Sequence, residues 1–304
     1  MERLVIDLIL PCSTVKGAGA IAGLSWDEAW GILQRAVARG QARKAAGPIA
    51  YLGVDEKAFR KGHRYHTVVC DLGRSTVEFV AEDRKTESLA AYYAQLTDAQ
   101  KSALKAVAMD MWEPYIGATR DGLPEGEARI VFDRFHIMRD MTKAVDTVRK
   151  HEHREFLRAA DDSPLTGTKY LWLYSDEHRP EYHAEAFATL QALNLKVGRA
   201  WAIKDALRTL WTYRQSAAVK RFFKRWYGWA MRSRLEPVKQ VAATLKRHLD
   251  GVLRFVQHPI TNGVAEGLNS KIMCVKRKAG GFRNPSNFTT AIYFHCGGLN
   301  LYPR

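Results

Sequence analysis

Three acidic residues spaced far apart in this sequence could do chemistry together: Asp55 in YLGVDEK, Asp110 in KAVAMDMW and Glu266 in ITNGVAEGLNSK. Each aspartate closes a short apolar run that predicts a buried strand. The glutamate falls on the polar face of a predicted helix near the other end of the chain. Acids this far apart meet only through tertiary folding. If they converge, their oxygens suit Mg²⁺ or Mn²⁺, and a pair of such ions can drive in-line attack on a phosphodiester.

Taken singly, each acid also has an ordinary explanation. Asp55 can cap a turn, and Glu56 and Lys57 beside it can be surface. Asp110 ends the run Ala106–Met109, just before Trp112 and Pro114. Neighbouring parallel strands that both end in Asp would put two carboxylates at one sheet edge, where open α/β sheets hold their sites. Around Glu266, the residues Val264, Leu268, Ile272 and Val275 recur as one apolar helical stripe. At ~100° per residue the acid points away from that stripe, and Asn262, Asn269 and Arg277 share its face. That face reads as an exposed groove for metal and phosphate, or as a solvated helix face. Asp133 and His136 in FDRFHIM form a D-x-x-H pair at a strand-to-helix junction. They can be a third metal position, support for the metal ligands, or a helix cap with a core histidine; support is the expected role. His63, His66, His151 and His153 pair with no cysteine at metal-ligand spacing and are expected at the surface or facing DNA.

Composition sets the partner class. The chain has 304 residues, 46% of them hydrophobic, so it can bury a substantial core. Lys and Arg number 47 against 32 Asp and Glu, a net charge of +15. Such an excess favours a polyanion, although solvated surface charge would give the same count. The 4 cysteines form no C-x-x-C pair, so neither a zinc ribbon nor a disulfide framework is expected. The opening MERLVIDLILPCS carries acids among its apolar residues and predicts a helix, not a signal peptide. No apolar run is long enough to span a bilayer. A cytoplasmic, DNA-associated protein without membrane contact is expected.

The elements that must position the acids follow from patterning. Residues 1–45 predict two or three helices. Gly23 and Leu24 form a turn, Ser25 an N-cap and Glu28 a capping box, before Trp26, Trp30, Leu33 and Val37 at helical spacing. With Arg39, Arg43 and Lys44 following, this fits a helix-turn-helix or an ordinary helical hairpin. Strands are predicted at 48–54, 64–70, 76–81, 106–109 and 129–132, with a helix over 87–107. That order predicts an α/β fold with a ribonuclease-H-like mixed sheet, helices on both faces. Residues 136–257 read as helical and rich in Arg, Lys and Trp. The expected organisation is a helix-turn-helix-like segment at 1–45, the first part of the core at 46–150, an all-helical insertion at 151–257, and the rest of the core at 258–304. Phe282 is the aromatic expected to stack on unpaired bases, with Trp226 and Trp229 expected in the core.

The run from GVDEKAFRKGHRYHTVVCD through AMDMW and FDRFH to ITNGVAEGLNSKIMCVKRKAGGFRN resembles the ISL3-family transposases of bacterial insertion sequences. The resemblance covers the chain from about residue 20 onward, and TNG-x-x-E-G-x-N with its basic Gly-Phe sequel is its most specific part. It implies a DDE transposase whose catalytic and metal-binding triad is Asp55, Asp110 and Glu266, holding two Mg²⁺ or Mn²⁺ ions. Asp133, His136 and Asn269 would support that triad. Lys276, Arg277, Lys278 and Arg283 would contact DNA. Double-stranded DNA, as transposon ends and as target, is the implied partner, and a homodimer on DNA the implied assembly in a bacterial cytoplasm. Family members begin with a cysteine-rich zinc-binding module; no such cysteines stand here, so the expectation is a chain lacking that module. Two other readings compete: a truncated or domesticated transposase that only binds DNA, and a structure-selective nuclease with no joining step.

Overall fold

The computed structural model describes residues 1–12, 14–45, 47–60 and 64–304, so His63 lies outside the described residues. Helices α1 (Glu2–Cys12), α2 (Val15–Ala22) and α3 (Trp26–Arg43) come first. Gly23 adopts φ +68°, the left-handed conformation that ends α2 at little steric cost to glycine. The capping box then starts α3: Ser25 N–H donates to Glu28 Oε2 at 2.8 Å, and Glu28 N–H donates to Ser25 Oγ at 3.3 Å. Trp30, Leu33 and Val37 bury one face of α3 in a cluster with Val5, Ile6, Ile9 and Phe294. The basic residues at its end work internally. Arg39 pairs with Glu2 at 3.2 Å and donates to the Leu301 carbonyl at 2.9 Å. Arg43 donates to the Tyr302 carbonyl at 2.6 Å, and Lys44 sits 2.8 Å from Glu78.

Strands β1 (Tyr51–Arg60), β2 (Arg64–Asp71), β3 (Thr76–Glu82), β4 (Ala106–Met109) and β5 (Ile130–Phe132) form a mixed five-stranded sheet in the order β3-β2-β1-β4-β5. β1 runs antiparallel to β2 and parallel to β4. The single helix expected over 87–107 is two, α4 (Thr86–Ala94) and α5 (Asp98–Ala103). Thr97 and Gln100 form a second capping box that restarts the helix. After β4 come α6 (Glu113–Gly122) and α7 (Gly126–Arg129). Tyr115 on α6 reaches Thr67 of the sheet, Oη to Oγ1, at 2.9 Å. Tyr93 on α4 meets Thr119 on α6 at 2.9 Å, so these two helices cover one sheet face together.

The chain divides into two compact units, residues 1–130 with 260–304, and residues 131–259. The second holds α8 (Arg134–Ala160), α9 (Lys169–Leu173), α10 (Ala184–Ala192), α11 (Lys196–Leu207), α12 (Ser216–Arg232), α13 (Glu236–Arg247) and α14 (Leu249–Leu253). Residue 151, the expected start of the insertion, falls inside α8 because one continuous helix leaves β5. Buried charges hold helix ends here. Glu152 on α8 accepts the N–H groups of Lys196 and Val197 at 2.6 and 2.8 Å, capping α11 with a carboxylate. Lys204 on α11 is 1% exposed and donates to the carbonyls of Trp172, Leu173 and Tyr174 at 3.0, 2.9 and 3.0 Å, capping α9. On α12, Val219, Phe223, Trp226 and Ala230 form the buried stripe. Trp229 lies off that stripe and is 42% exposed, not core as expected.

The chain returns to the first unit with α15 (Gly263–Lys278) and α16 (Pro285–Cys296), which cover the other sheet face. Ala265, Leu268, Ile272, Phe288 and Ile292 pack there on Val68, Cys70 and Val77. His66 belongs to this face as well. At a spacing of two it shares a face with Val68 and Cys70 along β2, is 2% exposed and meets Phe288 edge-on, so it is not at the surface. Burial lowers its pKa. On α16, burial and then Lys271 and Lys278 hold the His295 pKa down to about 4, against 6.5 normally. Between those values the unfolded chain binds a proton that the folded chain does not, so stability falls as pH drops through that window. His295→Asn is expected to show a shallower decline in melting temperature over that range than wild type; equal slopes would contradict this. Among the described residues no helix is long and apolar enough to cross a membrane.

Candidate active site

The parallel pairing of β1 with β4 sets the relation of the two aspartates. Tyr51, Leu52 and Gly53 pair with Ala106, Val107 and Ala108 at a constant offset. Pairing stops there, two residues short of Asp55 and of Asp110, so the same offset carried on would set the two aspartates at one level of the sheet edge. Asp110 follows the end of β4, as the sequence predicts. Asp55 does not end its strand: β1 continues to Arg60 through pairing with β2 alone. Asp55 therefore sits mid-strand, where the neighbour on one side stops. Its Oδ1 accepts Glu56 N–H at 2.8 Å, and Asp110 Oδ1 accepts Met111 N–H at 2.6 Å.

Helix α15, which carries Glu266, is tied to the same strand. Asn262 precedes it, is fully buried, and donates from Nδ2 to the Val54 carbonyl at 3.2 Å. Asn269 is 6% exposed and donates from Nδ2 to Asp55 Oδ2 at 2.6 Å. Glu266 lies between them in the i, i+4, i+7 series, on the helix face turned to β1 at Val54 and Asp55. The polar face of α15 is thus packed on the sheet, not exposed as the sequence suggested. Two amides tie it there, so both of its faces are partly buried.

Gly53 makes this approach possible. A Cβ on it would come within 2.8 Å of Asn262 Oδ1, 2.7 Å of Leu72 Cδ2 and 2.9 Å of Cys70 Sγ. Only a glycine leaves room for Asn262 to cross β1 one residue before Val54. Gly53 and Lys57 share the Asp55 face by strand alternation. Burial lowers the Lys57 pKa, nearby Asp55 opposes this, and Lys276 and Arg277 add to the lowering. Lys57 thus brings a cation to the Asp55 side, and the period of two was the signal for it. Lys276 Nζ reaches the Ala58 carbonyl at 3.2 Å, while Arg277, Lys278 and Arg283 are exposed. On the opposite face of β1, Arg84 pairs with Glu56 at 3.1 Å and lies over the rings of Tyr65 and Trp112.

The donors available to an ion are all carboxylate oxygens, the set preferred by Mg²⁺ and Mn²⁺. Among the described residues, no three His, Cys, Asp or Glu side chains are gathered into a ready cage. The donor types fit a divalent ion, and the carboxylates would have to draw together around it. Asp133 and His136 form a buried pair in the second unit, Oδ2 to Nδ1 at 2.9 Å, with the two side chains 1% and 7% exposed.

The model of ISL3-type DDE transposases, described as a transposase, matches residues 52–292. The chain belongs to the ISL3 transposase family. The matched stretch contains Asp55, Asp110, Asp133, His136, Glu266, Asn269 and the basic run to Arg283. The transposase for insertion sequence element IS1001 of Bordetella parapertussis is 29% identical over 287 residues, 92% of this chain and 69% of its own length. The transposase for insertion sequence element IS1557 of Mycobacterium tuberculosis, strain H37Rv, is 24% identical over 256 residues, 77% of this chain and 57% of its own length. The chain therefore spans a little over two thirds of one relative and under two thirds of the other.

Proposed function

We propose that this chain is the catalytic part of an insertion-sequence transposase, cutting DNA strands at the element's ends and joining them to target DNA. The supporting observation is the parallel register of β1 and β4, which carries both strands toward their aspartates, with α15 fastened to β1 on either side of Glu266. The sheet order, with helices on both faces, supports a ribonuclease-H-like core. Asp55, Asp110 and Glu266 would hold two Mg²⁺ or Mn²⁺ ions. When bound, such ions supply Lewis-acid polarisation of the phosphate and a nucleophile at neutral pH.

The chain's own residues do the positioning. Asn269 holds the Asp55 carboxylate through one oxygen and fixes its rotamer. Asn262 pins the start of α15, so Glu266 is carried on a helix that cannot slide along β1. Lys57, Lys276 and Arg277 make the Asp55 side positive, which favours a DNA phosphate there. Lys278 and Arg283 extend that charge, and affinity for DNA should fall steeply with salt. A role for Asp133 and His136 in supporting the triad rests on their likeness to a D-x-x-H element that related DDE enzymes carry between the second acid and the glutamate. An N-terminal helix-turn-helix rests on the α2–turn–α3 geometry alone, since Arg39, Arg43 and Lys44 are occupied within the unit. Two chains acting on two DNA ends would complete the reaction.

The test is Mg²⁺-dependent cleavage of the element's flanking DNA by wild type and by Glu266→Gln. Cleavage by wild type and its loss in the variant, with DNA binding kept, are expected. Equal cleavage by both would overturn the assignment. Joining of a pre-cut end to a second DNA separates a transposase from a nuclease.

A further inference from the structure

A pocket of about 340 Å³ opens in the first unit, where the C-terminal end of α15 meets α3 and α16. One wall is a pair of tryptophans one helical turn apart. Trp26 and Trp30 stack with ring centroids 5.5 Å apart and planes within 5°. Trp30 is 7% exposed, whereas Trp26 is 46% exposed and faces the pocket. Phe282 supplies a third aromatic surface, while Lys16 and Lys278 line the pocket with no Asp or Glu among its lining residues. At Gly280 and Gly281, with φ +66° and +95°, an added Cβ would meet nothing within 4 Å, so the backbone there faces open space.

An exposed indole stacked on a buried one is a costly surface unless something flat covers it. A purely apolar ligand has no use for two ammonium groups, and an acidic peptide has no use for a stacked indole pair. A nucleotide uses both: its ring stacks on indole, and its phosphates pair with lysine. His295 also lines the pocket; being neutral at neutral pH, its imidazole can both donate and accept at a base edge. The pocket lies on the helix that carries Glu266, twelve residues and about 18 Å further along its axis.

We propose that this pocket receives one unpaired base of bound DNA, with Trp26 as the stacking platform and Lys16 and Lys278 holding the adjacent phosphates. The inference rests on the DNA-processing reading above but not on cleavage. It moves the base-stacking role from Phe282 alone to a site built around Trp26, and it predicts that the protein favours DNA with an unpaired strand near the cut.

The test measures binding without divalent metal. A short labelled duplex is compared with the same duplex carrying an unpaired flap. Wild type should bind the flapped DNA about tenfold more tightly, the worth of one stacked base. Trp26→Ala should lose this preference and keep its affinity for the paired duplex; Trp26→Phe should retain most of it. A 2-aminopurine placed in the flap should be quenched by wild type and not by Trp26→Ala. Equal affinity of wild type for the two DNAs overturns the proposal, as does an unchanged preference in Trp26→Ala. The wild-type comparison decides even if a variant misfolds. A flap preference in a protein that cannot cut would sink the catalytic reading and leave the pocket standing.

Discussion

Asp55→Asn is expected to lower strand cleavage and strand transfer by ~1,000-fold or more, while DNA binding stays at or above the wild-type level. The substitution keeps the shape and removes the charge. An asparagine oxygen can still accept Glu56 N–H, its amide nitrogen then faces Asn269, and a flip of the Asn269 amide restores a donor–acceptor pair between them. Folding should therefore survive. What is lost is one of the carboxylates that would hold an ion, and with it the polarisation of the phosphate that the ion would supply. Removing a negative charge beside Lys57 and Lys276 can only help a phosphate bind. Combining Asp55→Asn with Glu266→Gln should cost little more than either alone, because residues that act as one unit are not additive. Cleavage, salt-dependent affinity and joining of a pre-cut end are the three readouts. Intact cleavage with weakened binding would point to a DNA-contact role for Asp55 instead.

Lys204→Met should be the most damaging conservative change to stability in the second unit, at about 3 kcal/mol. The lysine stem is fully buried among side chains, and methionine replaces its volume. The ammonium serves three carbonyls at the end of α9, and Trp201 Nε1 also donates to that of Tyr174, at 2.9 Å. Methionine leaves the Trp172 and Leu173 carbonyls without that donor, the first of them in a buried contact. A thermal melt followed by circular dichroism should show the transition lowered by roughly 10 °C. Burial lowers the Lys204 pKa to about 8, below the usual 10.5. The unfolded chain binds this proton over that interval and the folded chain does not, so the wild type should gain stability as pH rises through it, and Lys204→Met should not. An unchanged melt in the variant would mean that the ammonium is not a cap.

Several parts of this arrangement can be read from sequence for physical reasons. β4 is flanked by strands on both sides and covered on its faces, so it reads as the unbroken apolar run AVAM ending at Asp110. The capping box at Ser25 and Glu28 is local chemistry and needs no tertiary information. The end of β1 could not be read, because DEKAFR is polar and looks like a turn after YLGV. Its pairing with β2 carries it on to Arg60. Periodicity placed Asn262, Glu266 and Asn269 on one face of α15, but it cannot distinguish polar residues that face water from polar residues that bind a strand. The same blindness put His66 at the surface. Gly53 gives no sequence signal of its own, since its need comes from Leu72, Cys70 and Asn262, which only the fold brings against it. The helix expected over 87–107 failed at Thr97, where a second capping box was overlooked within an otherwise helical pattern.

The central claim is that Asp55, Asp110 and Glu266 act on one set of ions. Crystals of the protein soaked in Mn²⁺, with anomalous scattering recorded, test it most directly. The account predicts a manganese peak touching the carboxylates of both Asp55 and Asp110, reduced or lost in Glu266→Gln. A peak bound elsewhere, with those carboxylates unoccupied at saturating metal, would contradict it.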